Sequence, residues 1–168
     1  MSTVAISYAA SATITIAPEN VATSSDFTAG VESTAIDNSS NLYVDALVSG
    51  TWTSGTTPTT NTQVCVYAYA QRDDSPTYPD TIDGTSSAET ITSAGILASA
   101  LRLLGVMTVD STTSNRAYSL APCSVAQAFG GILPQRWGIF IAHNTGVNSN
   151  STAGNHVWKY QGIKYTVA

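Results

Sequence analysis

The two histidines, His143 and His156, are the residues best suited to chemistry, and the chain has no others. They stand at the ends of a polar segment of Asn, Ser, Thr and Gly residues, 145–154, and each has an asparagine on its loop side, Asn144 and Asn155. Two imidazoles could supply half of a zinc site, but zinc needs further ligands, and the flanking sequence offers no Cys, Asp or Glu. We therefore interpret both histidines as hydrogen-bonding residues that fix the ends of the loop, and we expect neither a metal nor another cofactor.

Carboxylates crowd the segment between Arg72 and Gly84, and several of them on one loop could hold calcium through oxygen ligands. Their spacing matches no calcium-binding motif. We favour a solvated acidic loop and leave calcium as the alternative. The carboxylates belong to Asp73, Asp74, Asp80 and Asp83.

Aromatic residues spaced two apart could offer flat faces to sugars. In a β-sandwich, however, aromatic residues with this period usually lie in the core. A carbohydrate-binding surface is therefore the alternative interpretation. The residues concerned are Trp52, Tyr67, Tyr69, Tyr78, Trp158 and Tyr160.

The sequence has no pattern that indicates catalysis. It lacks a G-x-S-x-G elbow, a phosphate-binding glycine loop and an H-E-x-x-H motif. Serines are so numerous that a possible Ser–His–Asp triad carries no weight, and the spacing of paired glycosidase carboxylates is set by the fold. We expect that the protein is not an enzyme.

The composition favours an all-β protein of one domain. Only 10% of the 168 residues are charged, and Ser and Thr make up about a quarter, a mixture that suits strands and exposed turns. A net charge of −5 argues against nucleic acid and anionic membranes as partners. All acidic residues lie between Glu19 and Asp110, whereas all the charged residues that follow are basic. The two stretches either neutralise each other within the fold or help copies of the chain to dock.

Several features predict a protein made in a reducing cytoplasm. The N-terminal segment has no basic start or apolar core of a signal peptide, and no apolar run reaches the 18 residues of a membrane span. Cys65 lies in an apolar run, where it is expected to be a small buried hydrophobic residue, and no disulfide to Cys123 is expected.

Alternating apolar residues predict about eight strands and one short helix. We interpret Arg136–His143 and His156–Val167 as one long hairpin through the middle of the molecule, because both are apolar on two faces. Ser124–Phe129 is the predicted helix, with a capping pattern at its start and Gly130 at its end. The other predicted strands are 2–17 (with a break at 9–10), 42–52, 63–71, 100–110 and 116–121, and 89–99 is ambiguous between strand and helix.

The spacing of these strands favours an antiparallel two-sheet sandwich that resembles a jelly roll. Residues 1–41 are predicted to form an N-terminal strand or extended arm that packs on the sandwich or on a neighbour. Residues 42–168 are predicted to form the β-sandwich domain.

Eight short blocks of the chain are familiar in combination: TYPD (77–80), SAGI (93–96), ALRL (100–103), SNRAY (114–118), FGG (129–131), PQRWG (134–138), HNTG (143–146) and GNH (154–156). Together they resemble a family of tailed-bacteriophage virion proteins encoded near the major capsid protein. The similarity runs from about Val48 to Tyr165. It implies a structural role, foremost as a capsid decoration or cement protein, and jelly rolls are frequent among such proteins. No catalytic residue is implied.

The resemblance implies a location on the capsid surface, with the major capsid protein as partner, and we also expect a homodimer or homotrimer. Many copies can clamp a shell although each contact is modest. We hypothesise that Ser2–Ala17 pairs with a neighbouring chain by strand addition. The alternative function is a receptor- or carbohydrate-binding module of a phage tail or another virion component. The candidate interface residues are Val4, Ile6, Tyr8, Ile14, Ile16, Asn144 and Asn155.

Overall fold

The chain forms two antiparallel β-sheets packed face to face, in a computed structural model that describes residues 3–167. The first sheet has the strand order β1–β11–β5–β9 with β2 beside β11, and the second has β7–β3–β10–β6–β8 with β4 beside β10. The predicted all-β sandwich is confirmed. The elements are β1 (Val4–Tyr8), β2 (Ala12–Thr13), β3 (Ala29–Glu32), β4 (Ile36–Asp37), β5 (Asp45–Thr53), β6 (Thr62–Ala70), β7 (Ser87–Thr90), α1 (Ala94–Ala100), β8 (Arg102–Val109), β9 (Ala117–Ser124), α2 (Val125–Ala128), β10 (Arg136–His143) and β11 (Val157–Val167).

The strand pairs are nested, which is the topology of a jelly roll. β6 pairs with β8, β5 with β9, β3 and β4 with β10, and β1 and β2 with β11. The chain therefore resembles one long hairpin rolled up on itself. β1–β2 and β3–β4 are interrupted strands, because each pair lies in succession along one partner. Counted in this way the roll has the predicted eight strands, and β7 is an additional edge strand beside β3.

The predicted hairpin between Arg136–His143 and His156–Val167 is wrong, although both strands are present as β10 and β11. β10 is the central strand of the second sheet, whereas β11 lies between β1 and β5 in the first. Alternation determines which side chains share a face, but it does not say which strand lies alongside. The connecting segment, 144–156, crosses between the sheets instead of turning back within one of them. We call it the crossing segment.

The main core fills the space between the sheets, and β10 contributes Trp137, Ile139 and Ile141 to it, as the alternation predicted. Trp52 of β5 and Trp158 of β11 face them from the first sheet and are fully buried. Burial of large aromatic and branched side chains is the dominant stabilising contribution in such a sandwich. Other members of this core include Ile14, Val31, Ala46, Val48, Val64, Val66, Ala68, Met107 and Val109.

A second, smaller core lies on the outer face of the second sheet, where Tyr69 and Phe140 are fully buried. The segment 71–101 folds over this face and contributes Ile82, Ile91 and Leu97. We expected a solvated loop followed by a strand or a helix. The segment is instead a third layer, and this layer explains why β6 and β10 are apolar on both faces.

Both helices begin at a serine N-cap. The Ser124 hydroxyl accepts the Gln127 N–H at the start of α2, as the capping pattern predicted. The Ser93 hydroxyl accepts the Ile96 N–H at the start of α1. The ambiguous segment 89–99 thus contains the end of β7 followed by most of α1, so the described residues hold two helices where one was expected.

The inner face of β8 differs from the predicted one. Met107 and Val109 lie in the main core. Leu103 is exposed, and Leu101 belongs to the second core on the outer face of the sheet. Leu104 is an extra residue in the register with β6. This irregularity is a β-bulge, and the residues before it therefore point to the faces opposite to those predicted.

The N-terminal residues are part of the two sheets. β1 and β2 lie on the first sheet, and β3 and β4 lie on the second. Ile14 is buried in the main core with 2% of its surface exposed. Ser2, the first residue of the segment predicted to pair with a neighbour, lies outside the described residues.

Candidate functional site

β1 and the end of β11 form a two-stranded ribbon with one apolar face. Directly opposite residues of an antiparallel pair point to the same side, so three cross-strand pairs share this face. All the members except Ile163, which is half-buried, are exposed by 59% to 73%. We call this surface the apolar face. The pairs are Val4–Val167, Ile6–Tyr165 and Tyr8–Ile163.

β1 is the edge strand of its sheet, with β11 on one side only. The Ala9 N–H donates to the Gly162 carbonyl oxygen. Because bonded and non-bonded pairs alternate in an antiparallel ladder, Val4, Ile6 and Tyr8 direct their N–H and C=O groups away from β11. The strand contains no charge, proline or bulge, the devices by which edge strands usually avoid further pairing. Its open edge can accept another strand.

The predicted interface residues outside β1 occupy other environments. Ile14 is in the main core and cannot contact a partner, and Ile16 packs against the same core half-buried. The Asn144 side-chain oxygen accepts the Gln63 N–H, and the exposed Asn155 donates to the Asn150 side-chain oxygen. These asparagines hold the crossing segment and lie far from the apolar face, which is at the other end of β11.

The two histidines are buried, and each ring nitrogen has a hydrogen-bond partner. His143 Nε2 lies 3.0 Å from the Val21 carbonyl oxygen, which can only accept, so Nε2 carries the proton. Nδ1 lies 3.0 Å from the Thr145 hydroxyl, whose single proton is shared between Nδ1 and the Val147 carbonyl oxygen. His156 follows the same logic: Nδ1 accepts the Thr53 N–H, and Nε2 lies 3.0 Å from the Asn150 carbonyl oxygen. Burial lowers the pKa of His143 to about 4 and also lowers the pKa of His156. Both rings therefore stay neutral and fix the loop, in agreement with their predicted structural role.

The crossing segment is anchored internally as well as at its ends. The buried Ser149 hydroxyl donates to the Pro18 carbonyl oxygen and accepts the Val21 N–H. The Asn150 N–H donates to the Thr53 carbonyl oxygen. This part of the segment is structural, and only its outer residues, such as Ser151, are exposed.

The predicted acidic loop uses its carboxylates locally. Asp80 accepts the N–H and hydroxyl of Thr92, and Asp83 accepts the Thr85 N–H. Within residues 3–167, no three His, Cys, Asp or Glu side chains are grouped as metal ligands. Calcium binding by this loop therefore gains no geometric support.

Glu32 of β3 is a buried carboxyl that sequence reasoning missed. Its two oxygens accept the N–H groups of Asp83 and Gly84, each at 3.1 Å, which favours the charged form. Burial has the larger effect and raises the pKa of Glu32 to about 7. No pattern in the poorly alternating stretch around β3 marks this residue as buried.

The aromatic residues considered for sugar binding lie mostly inside the fold. Trp52, Tyr69 and Trp158 are buried. Tyr160 is half-buried and packs edge-on against Trp137 in the main core. Exposed tyrosines occur instead on the apolar face, at Tyr8 and Tyr165.

Sequence reasoning also missed the β11 half of the apolar face. Ile163, Tyr165 and Val167 alternate with the same parity as Val157, opposite to the inward-pointing Trp158. The parity alone indicates that they lie on the outer face. They were overlooked because an apolar strand was expected to be covered on both sides.

No protein-family model and no curated protein matches the chain. Among the helices of residues 3–167, none is long and apolar enough to span a membrane.

Proposed function

We propose that the chain is a structural protein of a tailed-bacteriophage virion, which decorates the capsid and stabilises the shell by binding the major capsid protein. The observation that carries this proposal is the open edge of β1 on the jelly roll. An edge of this kind adds a strand to a neighbouring chain through backbone hydrogen bonds and needs no reactive group. Many copies arranged by the shell symmetry then give a strong total attachment.

The blocks that resemble phage virion proteins have structural roles in this fold. Arg136 of the PQRWG block lies 2.8 Å from Asp37 in an ion pair. Asn115 of the SNRAY block accepts a hydrogen bond from the Asn150 side chain. His143 of the HNTG block donates to the Val21 carbonyl oxygen. Residues that maintain a scaffold are what a cement protein requires, and they support this function over a catalytic one.

The alternative, a receptor- or carbohydrate-binding module, has less support. The contact surface of such a module would consist of the aromatic pairs and the segment 145–154. The buried Tyr69 and Trp158 and the internal anchoring of Ser149 remove much of that surface.

The test measures how tightly the chain attaches to purified capsid shells of the phage that encodes it. Deletion of residues 1–17 is a poor variant, because it also removes Ile14 from the core. Ile6→Pro is sharper, since it removes an N–H that points to the open edge and leaves the bonds to β11 in place. Ile6→Val is the matched control, which keeps the backbone donor.

We expect Ile6→Pro to weaken attachment at least tenfold and Ile6→Val to bind like the original chain. Equal attachment of both variants would show that the edge is not used. Failure of the unaltered chain to bind shells, together with its absence from purified particles, would overturn the capsid function.

A further inference from the structure

The apolar face is separate from the open edge of β1, and the edge does not account for it. Strand addition at the edge would add one strand to the sheet, but it would leave the side chains of Ile6 and Tyr165 in water. Ile163 is the last β11 residue paired with β5, through Asp45, so beyond it β11 pairs with β1 alone. An exposed, contiguous apolar patch of this kind marks an interaction site.

The three pairs of the face carry no charge. Asp45, which lies opposite Ile163 on β5, is at the border of the face, and its carboxylate accepts the Ser124 hydroxyl and the Ala126 N–H. Lys164 alternates with Ile163 and Tyr165 and pairs with Ser7, so it belongs to the opposite side of the ribbon. A chain with a net charge of −5 can therefore bring two of these faces together without opposing like charges at the contact.

The face is also complementary to itself. Along the ribbon a small pair, Val4–Val167, is followed by the Ile6–Tyr165 pair and then by the larger pair, Tyr8–Ile163. A two-fold axis that lies between two such faces, perpendicular to the strands and above the middle pair, would place the small pair of one copy against the large pair of the other. Two-fold interfaces of this isologous type are the commonest in soluble oligomers.

The available area fits a weak dimer. An exposed Val, Ile or Tyr at these exposures offers roughly 100 Å² of side-chain surface, so the five exposed residues give roughly 500 Å² per copy. The total of about 1,000 Å² is at the lower limit for a specific interface, the size range of weak and transient complexes, and we expect a dissociation constant on the order of micromolar.

We infer that the apolar face is the contact between two copies of this chain, which form a two-fold dimer by packing their β1–β11 ribbons face to face. The inference does not depend on the proposed function, because it concerns the face rather than the edge and requires no shell.

The test is sedimentation equilibrium of the full chain at protein concentrations from about 1 to 200 µM, a range that brackets the expected micromolar dissociation constant. Tyr165→Lys places a charge at the centre of the face without altering the β1 edge. Val157→Lys is the matched control, since Val157 is an exposed apolar residue at the other end of the same strand. Circular dichroism verifies that both variants keep the β fold.

We expect a concentration-dependent dimer, at least a tenfold larger dissociation constant for Tyr165→Lys, and no change for Val157→Lys. A monomer throughout the range, or a dimer that Tyr165→Lys does not weaken, would overturn the inference. A monomer whose attachment to shells is lost in Tyr165→Lys would assign the face to the shell instead.

Discussion

His143 of β10 lies against Trp52 of β5, with ring centroids 5.0 Å apart and ring planes inclined by 51°. The contact joins the two sheets at one end of the sandwich. His156, at the other end of the crossing segment, also lies near Trp52, with ring centroids 6.2 Å apart. The two histidines were expected to face each other across a hairpin, and they come together on Trp52 although the hairpin does not exist.

The buried His143 should make the protein sensitive to acid. Burial lowers the pKa of His143 from an ordinary 6.5 to about 4, so the folded chain binds fewer protons than the unfolded chain between these values. The contribution to stability is complete above pH 6.5 and is lost as the pH falls towards 4, by up to about 3 kcal/mol. NMR titration of the imidazole signals should show that His143 does not titrate near 6.5. A midpoint near 6.5 would contradict the buried, neutral ring.

Glu32 should produce the opposite pH dependence. Burial raises the pKa of Glu32 from an ordinary 4.5 to about 7, so its contribution is complete below pH 4.5 and is lost as the pH rises through 7. Between pH 4.5 and 6.5 the two effects oppose each other. We expect Glu32→Gln to unmask the histidine effect and to make the free energy of unfolding rise more steeply with pH.

Urea unfolding at several pH values measures this slope. Glu89→Gln is the matched control, because it removes a half-buried carboxyl from the neighbouring strand β7. If Glu32→Gln leaves the slope of the original chain unchanged, Glu32 does not titrate in this range.

The positions of the longer strands, and the faces of those without a bulge, could be predicted because alternation follows directly from strand geometry. β10 was predicted with its exact bounds, and Trp137, Ile139 and Ile141 point inward as expected. What lies beside or above a strand is not encoded in its own residues. The pairing of β10, the layer that covers Phe140 and the burial of Glu32 all depend on distant segments, and these were the features that sequence reasoning missed or misassigned.

The same distinction applies to the candidate site. Val4, Ile6 and Tyr8 were recognised from their alternation beside polar residues. Ile14 has the same alternation, but the pairing with β11 shifts by one residue between β1 and β2. The shift moves the even-numbered residues from the outer face to the inner face, so Ala12 lies opposite Tyr160 and Ile14 enters the main core. Local pattern therefore identified the strand, and only tertiary structure separated its exposed part from its buried part.

The crossing segment should depend on Ser149 more than on its exposed serines. Ser149→Ala leaves the Val21 N–H and the Pro18 carbonyl oxygen without their partner in a buried position. We expect a loss of about 2–4 kcal/mol in the free energy of unfolding, since each unsatisfied buried group costs about 1–3 kcal/mol. The exposed Ser151→Ala should change it by less than about 0.5 kcal/mol. Chemical denaturation of both variants provides the comparison, and equal stabilities would mean that the segment is not held at Ser149.

Gly138→Ala should destabilise the protein because the Tyr69 ring lies directly over Gly138. A Cβ at this position would lie 2.3 Å from Cζ of Tyr69, whose hydroxyl donates to the Ser33 carbonyl oxygen. Tyr69 is fully buried and has no room to move aside, so Gly138→Ala must distort the ring or the strand. We expect a loss of about 1–3 kcal/mol, the usual range for an overpacked core.

Gly95→Ala is the control for Gly138→Ala. Gly95 lies in α1, where the nearest atom to a new Cβ is the Ser93 hydroxyl oxygen at 3.8 Å. Because alanine favours helix, this variant should gain about 0.5 kcal/mol instead of losing stability. Thermal unfolding distinguishes the two, since the midpoint should fall for Gly138→Ala and rise slightly for Gly95→Ala. If Gly138→Ala were as stable as the original chain, Tyr69 would not be confined between the sheet and the outer layer, and the two-sided burial of the second sheet would need revision.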